Sequence, residues 1–141
     1  MNHSIKIYTD GGARGNPGPG GAAFVIMKDG KVIYKDSKFL GTSTNNEAEY
    51  YALIMALEWL NKNIEKLKGK NVLFLLDSQL VVRQLTGLYK VKSDNLKPLF
   101  KKVKNLTSTV NEVKLSFVSV GREKNRLADK LVNIKLDENT V

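Results

Sequence analysis

The sequence contains no cysteine and a single histidine, His3, beside its amino terminus. Disulfide bonds, thiolate nucleophiles and cysteine zinc sites are therefore excluded by composition. A serine or cysteine nucleophile that needs a histidine base is disfavoured, because His3 lies near a terminus, where chains tend to fray. A bound metal ion would have to be held by oxygen, which leaves carboxylates as the candidate catalytic groups.

Long apolar runs are absent as well. No segment approaches the roughly 20 apolar residues that cross a bilayer, and the amino terminus enters a strand pattern at once, without a signal peptide. We therefore expect a soluble, cytoplasmic protein that does not associate with membranes. The chain has 141 residues, 42% of them hydrophobic, which predicts a single domain over residues 1–141 and, by default, a monomer.

Acidic residues are few relative to basic ones. There are 23 Lys and Arg against 14 Asp and Glu, giving a formal charge of +9. This excess favours a polyanionic partner, because cationic groups release counterions when they bind nucleic acid. Many small proteins are basic for no specific reason, so charge alone leaves nucleic-acid binding open.

Hydrophobic periodicity predicts the element order βββαβααβα. The predicted strands cover residues 5–9, 22–28, 31–40, 71–77 and 113–120, and the predicted helices cover about 45–64, a short stretch ending at Gly87, about 95–106, and 125–136. Asp29-Gly30 is typical of a two-residue hairpin turn. The pattern therefore predicts an α/β fold, with helices on the faces of a mixed sheet.

Two aspartates follow predicted strands. Asp10 comes directly after the first strand, and Asp77 ends the continuous apolar run NVLFLLD. Ligands of open sheets gather beyond strand ends, where side chains converge on a rigid backbone, so the two carboxylates are expected to meet. For Asp77 alone, an ordinary role as a helix N-cap is the competing interpretation.

The first long helix carries a glutamate on its apolar stripe. At 100° per residue, Glu49 shares a face with five apolar residues, Ala52, Leu53, Ala56, Leu57 and Leu60. Glu47 lies about half a turn away and, with Thr44, forms a predicted capping box. A buried carboxylate is costly unless it is paired or binds a cation. Pairing of Glu49 with a core Lys or Arg is the alternative.

Asp129 belongs to the last predicted helix, whose packed side is supplied by Ala128, Leu131 and Val132. By itself it would be interpreted as a surface residue. Clustered carboxylates repel one another unless a multivalent cation is bound. Asp10, Glu49, Asp77 and Asp129 are thus predicted to hold two Mg²⁺ ions about 4 Å apart, with Mn²⁺ as a substitute, for in-line phosphodiester hydrolysis.

Four motifs in order resemble the type 1 ribonuclease H family. They are YTDGGARGNPGPGG, TNNEAEYYAL, LLDSQLVV and GREKNRLADKL, and the match spans residues 5–135. The resemblance implies a ribonuclease H-like fold, a mixed five-stranded sheet with three antiparallel and then two parallel strands. It also implies a metal-dependent endonuclease that cuts the RNA strand of RNA/DNA hybrids, leaving 5′-phosphate and 3′-hydroxyl ends. The four carboxylates fall on the family's metal-binding positions.

The same motifs imply contacts with nucleic acid. Gly11, Asn16, Asn46 and Gln79 fall where the family contacts the RNA strand and its 2′-hydroxyls, which distinguish RNA from DNA. Thr44 falls where the family grips a phosphate of the DNA strand. Asn16 before a proline turn and Asn46 in a first helical turn have structural explanations too.

Two departures from the family pattern are visible. Many bacterial members carry a histidine in the loop before the last aspartate, whereas this loop reads SVGREKN. Arg122 or Glu123 is hypothesised to take over proton transfer or product release there, on position alone. The basic segment 86–104 lacks a tryptophan-bearing protrusion, but Lys90 and Lys92, with Lys97, Lys101, Lys102 and Lys104, are predicted to follow a phosphate backbone. A solvated helix face is the alternative for the last three.

Three other functions compete. A resolvase or integrase-like core on the same fold is disfavoured by the sequence motifs that surround Asp10 and Glu49. Cleavage of double-stranded RNA stays open, because hybrid and RNA duplex share A-form shape and 2′-hydroxyls. A catalytically silent hybrid-binding module predicts a missing carboxylate, and all four are present.

Overall fold

The structure is a computed structural model that describes residues 5–110 and 112–140, so His3 lies outside the described residues. In chain order the elements are β1 (Ile5–Ala13), β2 (Gly18–Lys28), β3 (Lys31–Ser43), α1 (Asn45–Lys62), α2 (Ile64–Leu67), β4 (Asn71–Leu76), α3 (Gln79–Leu85), α4 (Lys97–Ser108), β5 (Lys114–Ser119), a 3-10 turn (Arg122–Lys124) and α5 (Arg126–Asn139). Within these described ranges, no helix is both long and apolar enough to cross a membrane.

The strands form one sheet in the order β3-β2-β1-β4-β5. Antiparallel pairing joins β1 to β2 and β2 to β3, whereas β4 pairs parallel with both β1 and β5. The predicted mixed sheet, three antiparallel strands followed by two parallel ones, is confirmed. The hairpin between β2 and β3 turns at Asp29 and Gly30, both with positive φ, 52° and 77°. This is the backbone that an Asp-Gly turn supplies.

β1 is longer than its sequence pattern predicts. The strand continues past Asp10 to Ala13, because β2 pairs with it as far as Gly20. Glycine is a weak strand former, so the glycine-rich segment 11–21 shows no strand pattern in the sequence. Its hydrogen bonds to the neighbouring strand outweigh that weak preference. The parallel ladder with β4 ends earlier, at Thr9 and Leu76. Asp10 therefore lies just beyond the parallel part of the sheet.

Helix α1 packs across one face of the sheet as predicted. The capping box is present, since the Thr44 side chain accepts from the Glu47 N–H at 3.1 Å and the Glu47 carboxylate accepts from the Thr44 N–H at 2.8 Å. The predicted stripe is buried, from Glu49 to Leu60. It joins the main apolar core, which also includes Ile7 of β1 and Phe74 of β4.

Helix α5 packs on the sheet through a second, much smaller apolar cluster. Its buried members are Ala23, Val132 and Leu136. β2 allows the close contact, because a Cβ at Gly21 would lie 3.4 Å from the Leu136 side chain. The two helices bring Glu49 and Asp129 towards the same end of β1.

Candidate metal centre and cleft

Three of the predicted carboxylates converge. Asp10 of β1, Glu49 of α1 and Asp77, directly after β4, each offer one oxygen, and these oxygens lie within 4.8 Å of one another. Asp10 and Glu49 are buried, and Asp77 is half-buried. Oxygen-only ligands at this spacing suit a hard divalent cation.

Asp77 is not the cap of the helix that follows it. Ser78 takes that position, because its hydroxyl accepts from the Val81 N–H at 3.2 Å. The capping interpretation of Asp77 is therefore wrong. With the helix start already satisfied by Ser78, the Asp77 carboxylate is left to face Asp10 and Glu49.

Glu49 is oriented by the backbone of β1. The Gly11 N–H donates to its Oε1 at 2.5 Å, although only 7% of Glu49 is exposed. Gly11 is needed for this approach, since a Cβ there would lie 2.2 Å from the Ala48 carbonyl. No Lys or Arg pairs with Glu49 among the described residues, and Gly11 and the other carboxylates are its polar neighbours. The core ion pair considered for Glu49 is thus not formed in the described part of the chain.

Asp129 stands at the edge of this group. It is half-buried on α5, close enough to the Asp10 carboxyl to raise the pKa of that group, and it lies outside the set of three that share the 4.8 Å spacing. Asn125 holds the start of α5 against β1, because its Nδ2 donates to the Thr9 carbonyl at 2.9 Å. Asp129 is therefore placed from the far end of the chain, next to Asp10.

The crowding of negative groups changes their protonation. Burial, then the charges of Asp77 and Asp129, raise the pKa of Asp10 from 3.8 to about 8. Burial, then the charges of Asp10 and Asp77, raise the pKa of Glu49 well above its ordinary value, against the lowering effect of the Gly11 N–H. Without a cation the Asp10 carboxyl therefore holds a proton at neutral pH, burial and crowding favour the protonated form of Glu49 as well, and a divalent cation would act against both effects.

The carboxylates lie in an open cleft of about 640 Å³. Of the residues predicted from the sequence, the cleft is lined by Asp10, Gly11, Asn46, Glu49, Asp77, Gln79, Arg122 and Asp129. Most of the remaining lining comes from the end of β1 and the glycine-rich turn between β1 and β2, from the Ser78 cap and from one face of α5. An open, polar cleft lined by acids fits a large phosphate-bearing substrate better than a small apolar ligand.

Comparison with known proteins agrees with this geometry. A family model described as reverse transcriptase-like matches residues 8–134. The structure of LC11-RNase H1, isolated from compost and solved in complex with an RNA/DNA hybrid, is similar at 47% identity and a TM-score of 0.89. That match covers 96% of this chain and 98% of the other. The chain belongs to the type 1 ribonuclease H family.

Two further relatives show the breadth of the family. The ribonuclease H1 structure from the halophilic archaeon Halobacterium salinarum is 34% identical with a TM-score of 0.86, over 95% of this chain and 98% of that one. The bifunctional protein Rv2228c of Mycobacterium tuberculosis is 38% identical over 94% of this chain. This chain spans only 35% of the length of that relative.

Two of the contacts implied by the family lie beside the cleft, where they have structural partners. The Asn16 side chain accepts from the Asn45 N–H at 2.9 Å, and Asn45 in turn accepts from the Ala13 N–H at 2.9 Å. Thr44 forms the cap of α1. Asn45 was not singled out from the sequence, since an Asn in a first helical turn is too common to signal a link to a distant strand.

The structure separates the two residues proposed to replace the family's loop histidine. Arg122 lines the cleft, with its Nε 3.9 Å from Asp77 Oδ2. The Glu123 carboxylate lies against Gly121, and Glu123 lines a different hollow of about 220 Å³ together with Tyr8 and Leu127. By placement, Arg122 is the stronger of the two candidates.

The predicted basic track is only partly available. Lys90 and Lys92 are exposed in the segment between α3 and α4. Lys104 is engaged within the protein: its ammonium donates to the Leu85 carbonyl at 3.0 Å and lies 5.4 Å from the Phe100 ring centre. Lys104 therefore links α4 to α3, and the predicted contact of this residue with a phosphate backbone is disfavoured.

Proposed function

We propose that this chain is an endonuclease that hydrolyses the RNA strand of RNA/DNA hybrids with divalent metal ions, leaving 5′-phosphate and 3′-hydroxyl ends. The observation that carries the proposal is the convergence of the Asp10, Glu49 and Asp77 oxygens within 4.8 Å in an open polar cleft. The complex of LC11-RNase H1 with RNA/DNA hybrid supports the choice of substrate.

Asp10, Glu49, Asp77 and Asp129 would hold two Mg²⁺ ions, with Mn²⁺ as substitute. When bound, the ions would activate a water molecule and stabilise the departing 3′ oxygen. Magnesium is favoured because the ligands are all oxygens and the open cleft leaves room for water and substrate oxygens to complete an octahedral shell. Metal binding would release the proton that the raised pKa of about 8 keeps on Asp10, and the raised pKa of Glu49 makes its affinity for the metal depend on pH in the same direction.

The remaining residues of the cleft bind and orient the substrate in this proposal. Asn46 and Gln79, both exposed, offer amide donors and acceptors to the RNA strand beside the acids. Arg122 would place a positive charge next to the scissile phosphate and, when the chain is cut, next to the new terminal phosphate. Exposed Lys90 and Lys92 would extend the contact along the duplex.

The alternatives to this function are cleavage of double-stranded RNA and hybrid binding without catalysis. Double-stranded RNA shares the A-form shape and 2′-hydroxyls that an open cleft of this kind would recognise. A silent binding module would need no ordered group of carboxylates, whereas the hydrogen bond from Gly11 to Glu49 orients that group specifically. We therefore favour a catalytic function, carried by the 141-residue chain as a monomer.

A gel assay tests the proposal. End-labelled RNA/DNA hybrid, double-stranded RNA, double-stranded DNA and single-stranded RNA are each incubated with Mg²⁺, Mn²⁺ or a chelator. Metal-dependent cuts in the RNA of the hybrid alone support the proposal, and cuts in double-stranded RNA as well widen the substrate. Tight hybrid binding without any cleavage would identify a binding module.

The Asp10→Asn variant tests the site itself. We expect it to lose cleavage while binding hybrid about as tightly as the original chain, because basic groups rather than this carboxylate supply the attraction. Binding is measured by fluorescence anisotropy in chelator, so that turnover does not interfere. Cleavage at the original rate would remove Asp10 from the proposed site.

A further inference from the structure

Arg14, on the turn between β1 and β2, reaches across to α5. Its guanidinium pairs with Asp137 Oδ1 at 2.7 Å and donates to the Thr140 hydroxyl at 3.3 Å. It also donates to the carbonyl and the side-chain oxygen of Asn133, both at 3.4 Å. Residues 133, 137 and 140 are spaced i, i+4 and i+7, so one arginine spans two turns along a single face at the end of the helix.

The turn that carries Arg14 is itself held to α1. The Ala13 N–H and the Asn16 side chain both bond to Asn45 at 2.9 Å, and these two residues flank Arg14 closely in the chain. The Arg14 N–H also donates to the Pro19 carbonyl at 2.9 Å, across the turn. The backbone at Arg14 is therefore held in place by these hydrogen bonds, which limits the positions that its side chain can reach.

This turn connects the elements that carry the acids. β1 holds Asp10, α1 holds Glu49 one helical turn after Asn45, and α5 holds Asp129. Asn133 extends the link, because its Nδ2 donates to the Asp129 carbonyl at 3.1 Å. The contacts of Arg14 thus connect the end of β1, which holds Asp10, to α5, which holds Asp129.

A polar link is important here because the apolar anchor of α5 is small. Among the described residues, its buried cluster consists of Ala23, Val132 and Leu136, with Phe39 and Leu131 partly buried against it, whereas α1 is embedded in the main core. A helix with few buried contacts can shift at little cost, since most of the stability of packed helices comes from their apolar face. Asp129 sits on this helix, so its position depends in part on these polar contacts.

We infer that Arg14 is a positioning residue that sets the location of Asp129 relative to Asp10 by tying α5 to the glycine-rich turn. The inference rests on the proposed metal-dependent cleavage and adds a residue to it. Arg14 and Asp137 are exposed at 41% and 69%, and exposed ion pairs contribute little to stability. Replacing Arg14 is therefore expected to affect metal affinity and turnover rather than folding.

Charge reversal separates this role from a direct contact with substrate. Arg14→Asp and Asp137→Arg each place like charges together, and the double variant restores the pair in the opposite sense. Each single variant should bind Mn²⁺ more weakly by calorimetry without nucleic acid, and should lower kcat about tenfold at unchanged KM, because small misplacements of catalytic groups have effects of at least this size. The double variant should recover both quantities.

A matched control comes from the same helix. Lys135→Ala removes one positive charge and the ion pair with Glu138, 3.2 Å long, without touching the turn. It should leave Mn²⁺ affinity and kcat unchanged. Asp137→Asn is the milder variant to use if a reversal does not fold, as judged by circular dichroism, and it should reproduce the metal-binding defect in part.

The outcomes distinguish the two proposals from each other. Single variants that bind Mn²⁺ and turn over like Lys135→Ala overturn the positioning role. A higher KM for hybrid in Arg14→Asp, with no rescue in the double variant, also overturns it and indicates a phosphate contact. Weakened Mn²⁺ binding that the double variant restores supports the role, even if the original chain fails to cut hybrid and the proposed function falls.

Discussion

At the scale of single residues, Gly11 shows how closely β1 and α1 approach each other at the site. Gly11→Ala would place a Cβ 2.2 Å from the Ala48 backbone, so β1 and α1 would have to separate. We expect a loss of about 1–3 kcal/mol in the free energy of unfolding, as for other overpacked positions. The hydrogen bond to Glu49 should lengthen and cleavage should fall.

Urea unfolding followed by circular dichroism checks this prediction, and Gly12→Ala is its matched control. A Cβ at Gly12 would find its nearest neighbour, the Asn45 side chain, at 3.9 Å. This control should change stability little. Equal stabilities for the two variants would contradict the close approach of β1 to α1.

The protonation of Asp10 predicts how the stability of the metal-free protein depends on pH. Its pKa is raised from 3.8 to about 8 by burial and by Asp77 and Asp129, so between these values the folded protein holds a proton that the unfolded chain does not. The free energy of unfolding should therefore fall as pH rises from about 4 to 8. Glu49 acts in the same direction.

Thermal melts in chelator from pH 5 to 8.5 measure this effect. Saturating Mg²⁺ should reduce the dependence, because the cation replaces the protons, and Asp10→Asn should weaken it in chelator. A melting temperature that rises with pH in chelator would show that the carboxylates are not crowded in solution as they are in the structure.

At the scale of elements, α1 depends on the cap at its start. Thr44→Ala removes the hydroxyl that accepts from the Glu47 N–H, and the expected cost is about 1 kcal/mol. Thr44→Ser keeps a hydroxyl at the same place and should cost much less. Urea unfolding of both variants gives the comparison.

Kinetics on the same two variants test the second role of Thr44, contact with a DNA-strand phosphate. Thr44→Ala should raise KM for the hybrid, and Thr44→Ser should retain most of the affinity. If the two variants are equally stable, the hydroxyl does not cap the helix. If the stabilities differ but the KM values do not, Thr44 has the capping role alone.

At the scale of the whole molecule, the formal charge of +9 predicts hybrid binding that weakens steeply with salt. Replacing exposed Lys90 and Lys92 with Gln should lower the slope of log Kd against log salt by about 2, because each lysine is expected to neutralise about one phosphate. Anisotropy titrations in chelator from low to physiological salt measure the slope.

Lys28→Gln with Lys31→Gln is the control for the removal of two charges. These residues face each other at the β2–β3 hairpin, and Lys28 pairs with Ile5, at the end of β1 opposite to Asp10. Their replacement should lower affinity slightly without changing how many phosphates the protein neutralises. An identical change of slope in both double variants would mean that the binding face is not defined by the 86–104 segment.

Local patterns determined much of the fold. The capping box, the Asp-Gly hairpin and the buried stripe from Glu49 to Leu60 were all predicted, because each depends on neighbours within a few residues or on one helical period. Strand ends and helix phase also indicated Asp10, Glu49 and Asp77, whose oxygens do converge. Binding of metal by these residues stays a prediction.

Tertiary structure alone decided the contacts between distant parts of the chain. Arg14 and Thr140 are 126 positions apart, and nothing in their local sequence relates them. The extension of β1 to Ala13 required β2 as a partner, because glycine has no strand preference of its own to reveal. The separation of Arg122 from Glu123 depended on which way each side chain turned after Gly121.

The difference between what the sequence predicted and what only the tertiary structure decided has a physical reason. Periodicity and composition report which face of an element is buried and which residues begin it, so the sequence by itself determined most of the elements and identified Asp10, Glu49 and Asp77 as candidate carboxylates. The distance between two elements depends on how their faces pack, and that packing placed Asp129 beside Asp10 and connected Arg14 to α5.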